Sequence, residues 1–354
     1  MSLPKTMRGA MLLGPEKIDV CDVSVPRPGP GEILLKIEAA TTCGTDVKVY
    51  KRGGHPRMLK TPTLFGHEMA GRVAALGKNV KEFSEGDNIV VANSAPCGKC
   101  EFCKLNHENL CADLHYINGA FAEFILIPKR FVQRNTYLVP NGLSFSRAAM
   151  TEPLACVLHG LDACEFEKRE KAGVLDVVVL GAGPIGLLFV AALAKKGHRI
   201  ILADPNSNRL AVGKNLGATK TIKIARGGKQ AKLIREHTKD EKGVSIAIDS
   251  SGVTDAWMDA INSVRPGGLV NLFGGCAPGT SINIDTNLIH YAELTIKGVY
   301  HHRPDTIRRS LEMLADINFN ADRILTDVRP IEEVEDAIES MISKKALKVV
   351  IKNQ

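Results

Sequence analysis

A glycine motif in the middle of the chain, Gly181-Ala182-Gly183-Pro184-Ile185-Gly186, limits the possible folds sharply. An apolar, β-branched run precedes it at 177–180, and an apolar stretch follows it to about 197. The first glycine permits a tight turn, the second lets backbone approach a pyrophosphate, and the third lets a helix pack closely on a strand. The free N–H groups at the start of that helix favour phosphate. The motif therefore predicts the first strand–turn–helix unit of a dinucleotide-binding domain.

The residues around this motif alternate between strand and helix patterns. Apolar strands are predicted at 177–180, 199–203, 221–224, 246–249 and 269–273, with a sixth at 294–297. Helices are predicted near 185–197, 207–216, 229–238 and 254–264. This alternation is typical of a parallel, doubly wound α/β sheet.

The second predicted strand ends at Asp204, where a carboxylate can accept hydrogen bonds from ribose hydroxyls. The same charge would repel a 2′-phosphate, so NAD is favoured over NADP, although Arg209 could tolerate the extra phosphate. Gly274 follows the fifth strand and places a small residue where a nicotinamide would lie, or forms a plain turn. The alternative for the whole domain is another nucleotide or no ligand.

The rest of the chain has a different organisation. Short β runs are predicted at 32–39, 66–76, 88–92 and 121–127, and helices near 304–316 and 331–343 precede a closing strand at 347–351. A length of 354 residues favours two domains. We therefore expect a β-rich domain over 1–155, completed by about 291–354, and a dinucleotide-binding domain over 156–290.

Four cysteines lie close together in the first part, as C-x2-C-x2-C-x7-C. Four thiolates at this spacing can complete a tetrahedral zinc shell and leave no position for a substrate, so the site is predicted to be structural. An iron–sulfur cluster is the alternative. The residues are Cys97, Cys100, Cys103 and Cys111.

A second group of possible metal ligands comes from three separate segments. Cys43 follows a predicted strand, His67 begins the next extended run, and Glu152 lies where the two domains meet. A thiolate, an imidazole and a carboxylate suit a catalytic zinc with an open fourth position. Each has an ordinary alternative: a buried core thiol, a core histidine and a carboxylate at a helix terminus.

Composition and charge exclude several functional classes. Lys and Arg exceed Asp and Glu by 46 to 39, but the basic residues are scattered, which argues against a nucleic-acid partner. The N-terminal residues do not resemble a secretory signal. The apolar stretch at 174–194 is interrupted by glycines and a proline, so no membrane span is expected. We expect a cytoplasmic protein.

In combination, these motifs resemble the zinc-dependent medium-chain alcohol dehydrogenases. The motifs are Cys43-Gly44-Thr45-Asp46, Gly66-His67-Glu68, the four cysteines, Glu152-Pro153-Leu154 and the glycine motif. The polyol (sorbitol-type) and threonine dehydrogenases are the most similar branch. The resemblance covers nearly the whole chain. It implies a GroES-like catalytic domain joined to a Rossmann domain, an active site in the cleft between them, one catalytic and one structural zinc, NAD, and a homodimer or homotetramer.

The resemblance also implies roles for individual residues. Cys43, His67 and Glu152 would surround the catalytic zinc, with Glu68 beside it and Thr45 as a hydroxyl in the proton relay. Ile185, Asp204 and Arg209 would contact NAD.

The chain departs from sorbitol dehydrogenases in three places, one of which is a shorter stretch between Cys111 and Phe121. Val49 stands where those enzymes carry a substrate tyrosine, and His301-His302 replaces an Arg-Tyr pair. His301 and His302 are predicted to contact substrate, or to form a surface turn. The expected function is hydride transfer between NAD and a secondary alcohol, such as a polyol, sugar alcohol or derivative. The alternatives are a threonine-type amino-alcohol dehydrogenase and a non-catalytic protein that binds NAD and zinc.

Overall fold

The computed structural model describes residues 3–169 and 173–353. Its strands are β1 Thr6–Gly14, β2 Lys17–Ser24, β3 Ile33–Thr41, β4 Gly54–His55, β5 Leu59–Lys60, β6 Thr63–Leu64, β7 Glu68–Leu76, β8 Asn88–Val91, β9 Ser94–Ala95, β10 His115–Tyr116, β11 Phe124–Ile127, β12 Thr136–Leu138, β13 Asp176–Leu180, β14 Arg199–Asp204, β15 Lys220–Lys223, β16 Val244–Asp249, β17 Val264–Leu272, β18 Thr295–Gly298, β19 Leu325–Pro330 and β20 Lys348–Lys352.

The helices are α1 Gly44–Arg52, α2 Glu101–Lys104, α3 Lys129–Arg134, α4 Phe145–Ala148, α5 Thr151–Ala163, α6 Phe166–Arg169, α7 Pro184–Lys195, α8 Ser207–Asn215, α9 Ala231–Arg235, α10 Thr254–Ser263, α11 Thr286–Tyr291, α12 Pro304–Ala315 and α13 Val334–Ile342. None of the described helices has the length and apolar character needed to cross a membrane.

The chain divides into two compact units. The first comprises 1–155, 302–317 and 325–354, and the second comprises 156–301 and 318–324. The expected division near 291 is therefore too early in the chain. The strand β18 pairs in parallel with β17, which keeps 291–301 with the second unit.

The first unit is built on a largely antiparallel sheet in the order β12-β8-β7-β3-β20-β19, with β11 also paired to β3. Strand β3 alternates as the sequence predicts, so Ile33, Leu35 and Ile37 enter the core while Lys36 is exposed. A hairpin of β1 and β2, which the sequence analysis did not predict, pairs with β6. This sheet positions the segments that carry the candidate metal ligands.

The second unit contains a six-stranded sheet in the order β15-β14-β13-β16-β17-β18, with every pairing parallel. Its central strands are apolar on both faces, as expected where helices cover a sheet on both sides. Two predicted elements differ in extent. Helix α9 is shorter than the predicted 229–238, and β17 begins before the predicted 269–273 because Val264 already pairs with Val244.

Candidate functional site

Cys43 lies at the start of α1, separated from the end of β3 by one residue, Thr42. It is the N-cap residue, and its backbone N–H donates to the Asp46 carboxylate at 2.8 Å. The Thr45 N–H points at the Cys43 sulfur at 3.4 Å. The side chain of Asp46 thus satisfies an otherwise unpaired donor at the helix N-terminus and holds the thiol in place.

The other oxygen of Asp46 contacts His67. The distance from Asp46 Oδ1 to His67 Nδ1 is 2.9 Å, and both side chains are buried. Burial is the largest single effect and lowers the pKa of His67, but the Asp46 carboxylate and Cys43 together outweigh it, and the net pKa lies well above the usual value. Because Nδ1 is engaged, Nε2 is the nitrogen presented for a metal, an arrangement common for histidine ligands.

Glu68 follows His67 at the start of β7 and has no exposed surface. One carboxylate oxygen, Oε2, accepts hydrogen bonds from the Thr41 hydroxyl and the Lys348 ammonium group. The other oxygen, Oε1, has no hydrogen-bond partner among the described residues. Cys43, His67 and Glu68 each place a ligand atom within 4.8 Å of the others. A buried carboxylate oxygen without a partner, beside a thiol and an imidazole, fits a bound metal ion.

Glu152 lies in the first turn of α5 and is not a member of that three-residue group. Burial raises its pKa to about 7; His67 lowers the pKa and Glu68 raises it. The charges of His67 and Glu68 therefore both act on the Glu152 carboxyl group. The structure brings Cys43 and His67 together with Glu68, and Glu152 is not among the residues whose ligand atoms lie within 4.8 Å of one another there.

The four cysteines of the first unit do converge. The Sγ–Sγ distance is 3.5 Å between Cys100 and Cys103, 3.8 Å between Cys100 and Cys111, and 3.9 Å between Cys97 and Cys103. Zn–S bonds of ~2.3 Å in a tetrahedron would separate sulfurs by ~3.8 Å. The spacing fits a single ion, whereas a cluster would draw the thiolates apart onto separate iron atoms. Backbone N–H groups lower the pKa of Cys100 to about 6, which favours its thiolate.

The glycine motif occupies the predicted turn between β13 and α7. Gly181 has φ +98°, which other residues rarely adopt, and a Cβ on Gly186 would lie 1.9 Å from the Gly181 carbonyl oxygen. Gly183 is the N-cap of α7 and Pro184 is its first residue, which leaves the free N–H groups at a helix N-terminus. Ile185 is half-buried beside them.

Asp204 ends β14, as predicted, and both of its oxygens accept backbone hydrogen bonds. The Ala182 N–H donates to Oδ2 and the Asn206 N–H donates to Oδ1, each at 2.7 Å. Arg209 lies on α8, and its buried Nε has no hydrogen-bond partner in the described part of the chain. Gly274 packs tightly, since a Cβ there would lie 2.3 Å from the Gly252 nitrogen.

Two known domain families match this chain. Residues 29–137 match the alcohol dehydrogenase GroES-like domain, and residues 184–316 match the zinc-binding dehydrogenase domain. A sorbitol dehydrogenase of Bacillus subtilis is 30% identical over 99% of this chain and 98% of its own. The chain belongs to the zinc-dependent medium-chain alcohol dehydrogenases. The predicted fold class, a GroES-like domain followed by a Rossmann domain, is confirmed.

Other members of the alcohol dehydrogenase family are similar over nearly the full length. An L-threonine 3-dehydrogenase of Idiomarina loihiensis is 29% identical over 93% of this chain and 94% of its own. The crystal structure of a zinc-binding dehydrogenase of Sinorhizobium meliloti bound to NADP superposes with a TM-score of 0.88 at 28% identity, covering 99% of this chain and 100% of that one.

The two histidines that depart from sorbitol-type dehydrogenases have different surroundings. His302 lies in the first unit, is buried, and has Nε2 2.9 Å from Asn93 Oδ1 and 3.8 Å from Glu152 Oε1. His301 lies in the second unit with φ +64°, and its carbonyl oxygen accepts from His159 Nδ1 at 2.8 Å.

Sequence reasoning did not single out three residues that contact the candidate site residues: Asp46, Lys348 and Asn93. Asp46 had a usable signal, because an acidic residue three positions after a helix N-cap often accepts its N–H. Lys348 begins the short apolar strand β20, and Asn93 follows another, so neither carries a local signal. Their contacts come from residues far away in the sequence.

Proposed function

We propose that this chain is an NAD-dependent zinc dehydrogenase that transfers a hydride between NAD and a secondary alcohol, of the polyol, sugar-alcohol or related class. The observation that carries the proposal is the group formed by half-buried Cys43 and buried His67 and Glu68, in which one Glu68 oxygen has no hydrogen-bond partner among the described residues. An unpaired buried carboxylate oxygen is costly, and a metal ion bound beside the thiol and the imidazole would satisfy it.

Three side chains would hold the catalytic zinc: Cys43, His67 and Glu68, with Glu152 adjacent as a fourth donor, directly or through a water. When bound, zinc polarises the alcohol oxygen and lowers the pKa of its proton, while NAD accepts the hydride. Asp46 fixes the ring of His67 so that Nε2 faces the site. The half-buried Thr45, next to Cys43 on α1, offers the hydroxyl that takes the alcohol proton towards solvent.

The preference for NAD over NADP rests on Asp204. Its carboxylate is placed to accept from ribose hydroxyls and would repel a 2′-phosphate. Arg209 is the opposing feature, because its unpaired Nε could donate to that phosphate. The S. meliloti relative is described as bound to NADP, so both cofactors belong in the assay. We propose the stronger binding for NAD.

A threonine-type activity is the second candidate. The relatives named L-threonine 3-dehydrogenase match this chain almost as well as the sorbitol dehydrogenase, at 29% against 30% identity. The carboxylate at Glu152 does not separate the two, because the resemblance places it in both branches. We further propose a cytoplasmic homodimer or homotetramer, as the family resemblance implies.

The test is a substrate panel with two cofactors. Reduced nicotinamide is followed with NAD or NADP against sorbitol, other polyols, 2,3-butanediol and L-threonine, with and without a zinc chelator. About two zinc ions per chain are expected, one per site. Turnover that the chelator abolishes supports the proposal, and the substrate used best separates the two candidates. Absence of turnover with one zinc bound supports a non-catalytic binding protein instead.

The variant Cys43→Ser gives the sharpest arm of this test. We expect it to lose turnover and one zinc ion per chain while it still binds NAD, because the thiolate ligand is gone and the glycine motif is intact. Cys21→Ser, a half-buried cysteine on β2, is the matched control and should keep wild-type activity. Full activity in Cys43→Ser would refute the metal assignment.

A further inference from the structure

Three segments of the first unit meet around a small polar group. Asn93 follows β8, Glu152 lies in the first turn of α5, and His302 precedes α12. Their exposed fractions are 2%, 7% and 2%. The Nε2 atom of His302 lies 2.9 Å from Asn93 Oδ1 and 3.8 Å from Glu152 Oε1. Distant parts of the sequence therefore contribute one residue each to this group.

The direction of the Asn93–His302 hydrogen bond follows from its atoms. An amide oxygen only accepts, so the hydrogen must be on His302 Nε2. The same N–H is the group that faces the carboxylate of Glu152 at a distance longer than a hydrogen bond. Asn93 thus fixes the tautomer and the ring orientation that His302 presents to Glu152.

The same three segments also pack together through apolar side chains. Ala92, Ala155 and Ile307 form one buried apolar cluster, with exposed fractions of 1%, 0% and 0%. The Ser310 hydroxyl on α12 donates to the Thr151 carbonyl at 2.8 Å, which ties α12 to the residue before Glu152. His302 therefore lies, buried and hydrogen-bonded to Asn93, at the start of a helix that is itself tied to the segment carrying Glu152, as suits a positioning residue.

We propose that His302 is a positioning residue for Glu152: held by Asn93, its Nε2–H sets where the Glu152 carboxylate lies beside Cys43, His67 and Glu68. The inference rests on the proposed dehydrogenase function and deepens it. It assigns His302 an action through Glu152, in place of the substrate contact expected from the sequence. His302 itself then touches neither substrate nor cofactor.

Two substitutions at His302 separate this role from simple packing. His302→Gln keeps an N–H donor near the position of Nε2, whereas His302→Leu fills similar volume without a donor. Outer partners of metal ligands change activity or metal affinity by about 10–100-fold. We expect His302→Leu to lower kcat by about that factor with KM nearly unchanged, and His302→Gln to recover to within a few-fold of wild type.

Ile307→Val is the matched control for packing. It removes one methylene from the apolar cluster that the same three segments form, and it leaves the polar contacts in place. It should reduce thermal stability slightly and keep kcat and KM close to wild type. A loss of kcat in Ile307→Val equal to that in His302→Leu would overturn the inference, since packing alone would then explain it.

A second readout needs no turnover. Each protein is loaded with Co²⁺, and the visible absorption of the ion is recorded, because it responds to the ligands around it. The contribution from the four cysteines should be the same in all variants. We expect His302→Leu to change the remaining absorption and to weaken Co²⁺ retention against a chelator, with His302→Gln restoring both.

The outcomes distinguish the two proposals. An unchanged kcat and an unchanged spectrum in His302→Leu, in an active enzyme, overturn the positioning role. A raised KM with unchanged kcat also overturns it and indicates a substrate contact. Wild-type protein that binds Co²⁺ only at the four cysteines refutes the proposed function and the inference with it. Two bound ions without turnover, with the expected spectral change, support the inference although the reaction class fails.

Discussion

Replacing Lys348 with methionine would remove the only ammonium group that contacts the buried Glu68 carboxylate in the described structure. The exposed fractions of the two side chains are 1% and 0%. Lys348 Nζ also donates to the Thr42 carbonyl oxygen at 2.7 Å. The variant Lys348→Met keeps most of the aliphatic volume and leaves Glu68 with the Thr41 hydroxyl as its remaining donor.

The expected cost follows from the burial of this pair. Breaking a fully buried ion pair by removing one partner typically costs about 3–5 kcal/mol, because it leaves an uncompensated charge. For a domain of 150–250 residues, each kcal/mol lowers Tm by about 2–4 °C. We therefore expect Lys348→Met to lower the Tm of the first unit by about 6–20 °C. Removing both charges, in Lys348→Met with Glu68→Gln, should restore much of this loss.

The assay is thermal and urea unfolding in the Cys43→Ser background, in which the candidate catalytic site is expected to hold no zinc, so that a bound ion does not compensate the Glu68 charge. Zinc content is measured in parallel. Lys345→Met is the control: this lysine is exposed on the same segment, and its replacement should change stability by less than about 0.5 kcal/mol. A loss below about 1 kcal/mol in Lys348→Met, or a double variant no more stable than Lys348→Met, would refute the reasoning.

Two further predictions concern the glycine motif and a half-buried tyrosine. Gly186→Ala should weaken NAD binding tenfold or more, measured through the single tryptophan, because overpacking of about 1–3 kcal/mol must displace the turn. Gly298→Ala, where a Cβ meets nothing within 4 Å, should bind NAD normally. Burial raises the pKa of Tyr137 to about 12, against about 10 in the unfolded chain. Between these two pH values the folded state binds more protons than the unfolded state, so the protein loses stability as the pH rises from about 10 to about 12. Tyr137→Phe should flatten that loss in urea unfolding; an equal slope in both proteins would contradict it.

The second unit was largely predictable because its signals are local. The glycine motif, the β-branched run before it and Asp204 at the end of the next strand each follow from a short stretch of sequence. The elements that differ from the prediction are those whose extent depends on pairing between strands. Strand β17 extends back to Val264 through its contact with β16, and β18 stays with the second unit through its pairing with β17. No local pattern contains that information.

The candidate metal site shows the same division between local and distant information. Cys43 and His67 are found from their motifs, and the structure brings them together. Sequence could not order the two carboxylates, because the spacing of Glu68 and Glu152 along the chain does not tell which lies within reach of the thiol. Lys348 is separated from Glu68 by 280 positions, so the ion pair exists only in the folded chain.

Asp204, the proposed ribose-binding residue, also holds two backbone segments together. Its two oxygens already join the glycine turn to the residues after β14, through the N–H groups of Ala182 and Asn206. A substitution at Asp204 that aims to change the cofactor preference would therefore remove two hydrogen bonds as well as a charge. A replacement without two acceptors would release the turn proposed to bind the pyrophosphate. Any gain in tolerance for a 2′-phosphate would then be offset by weaker binding of either cofactor. Specificity and affinity are coupled through one carboxylate, and they can be changed separately only by substitutions elsewhere, such as at Arg209.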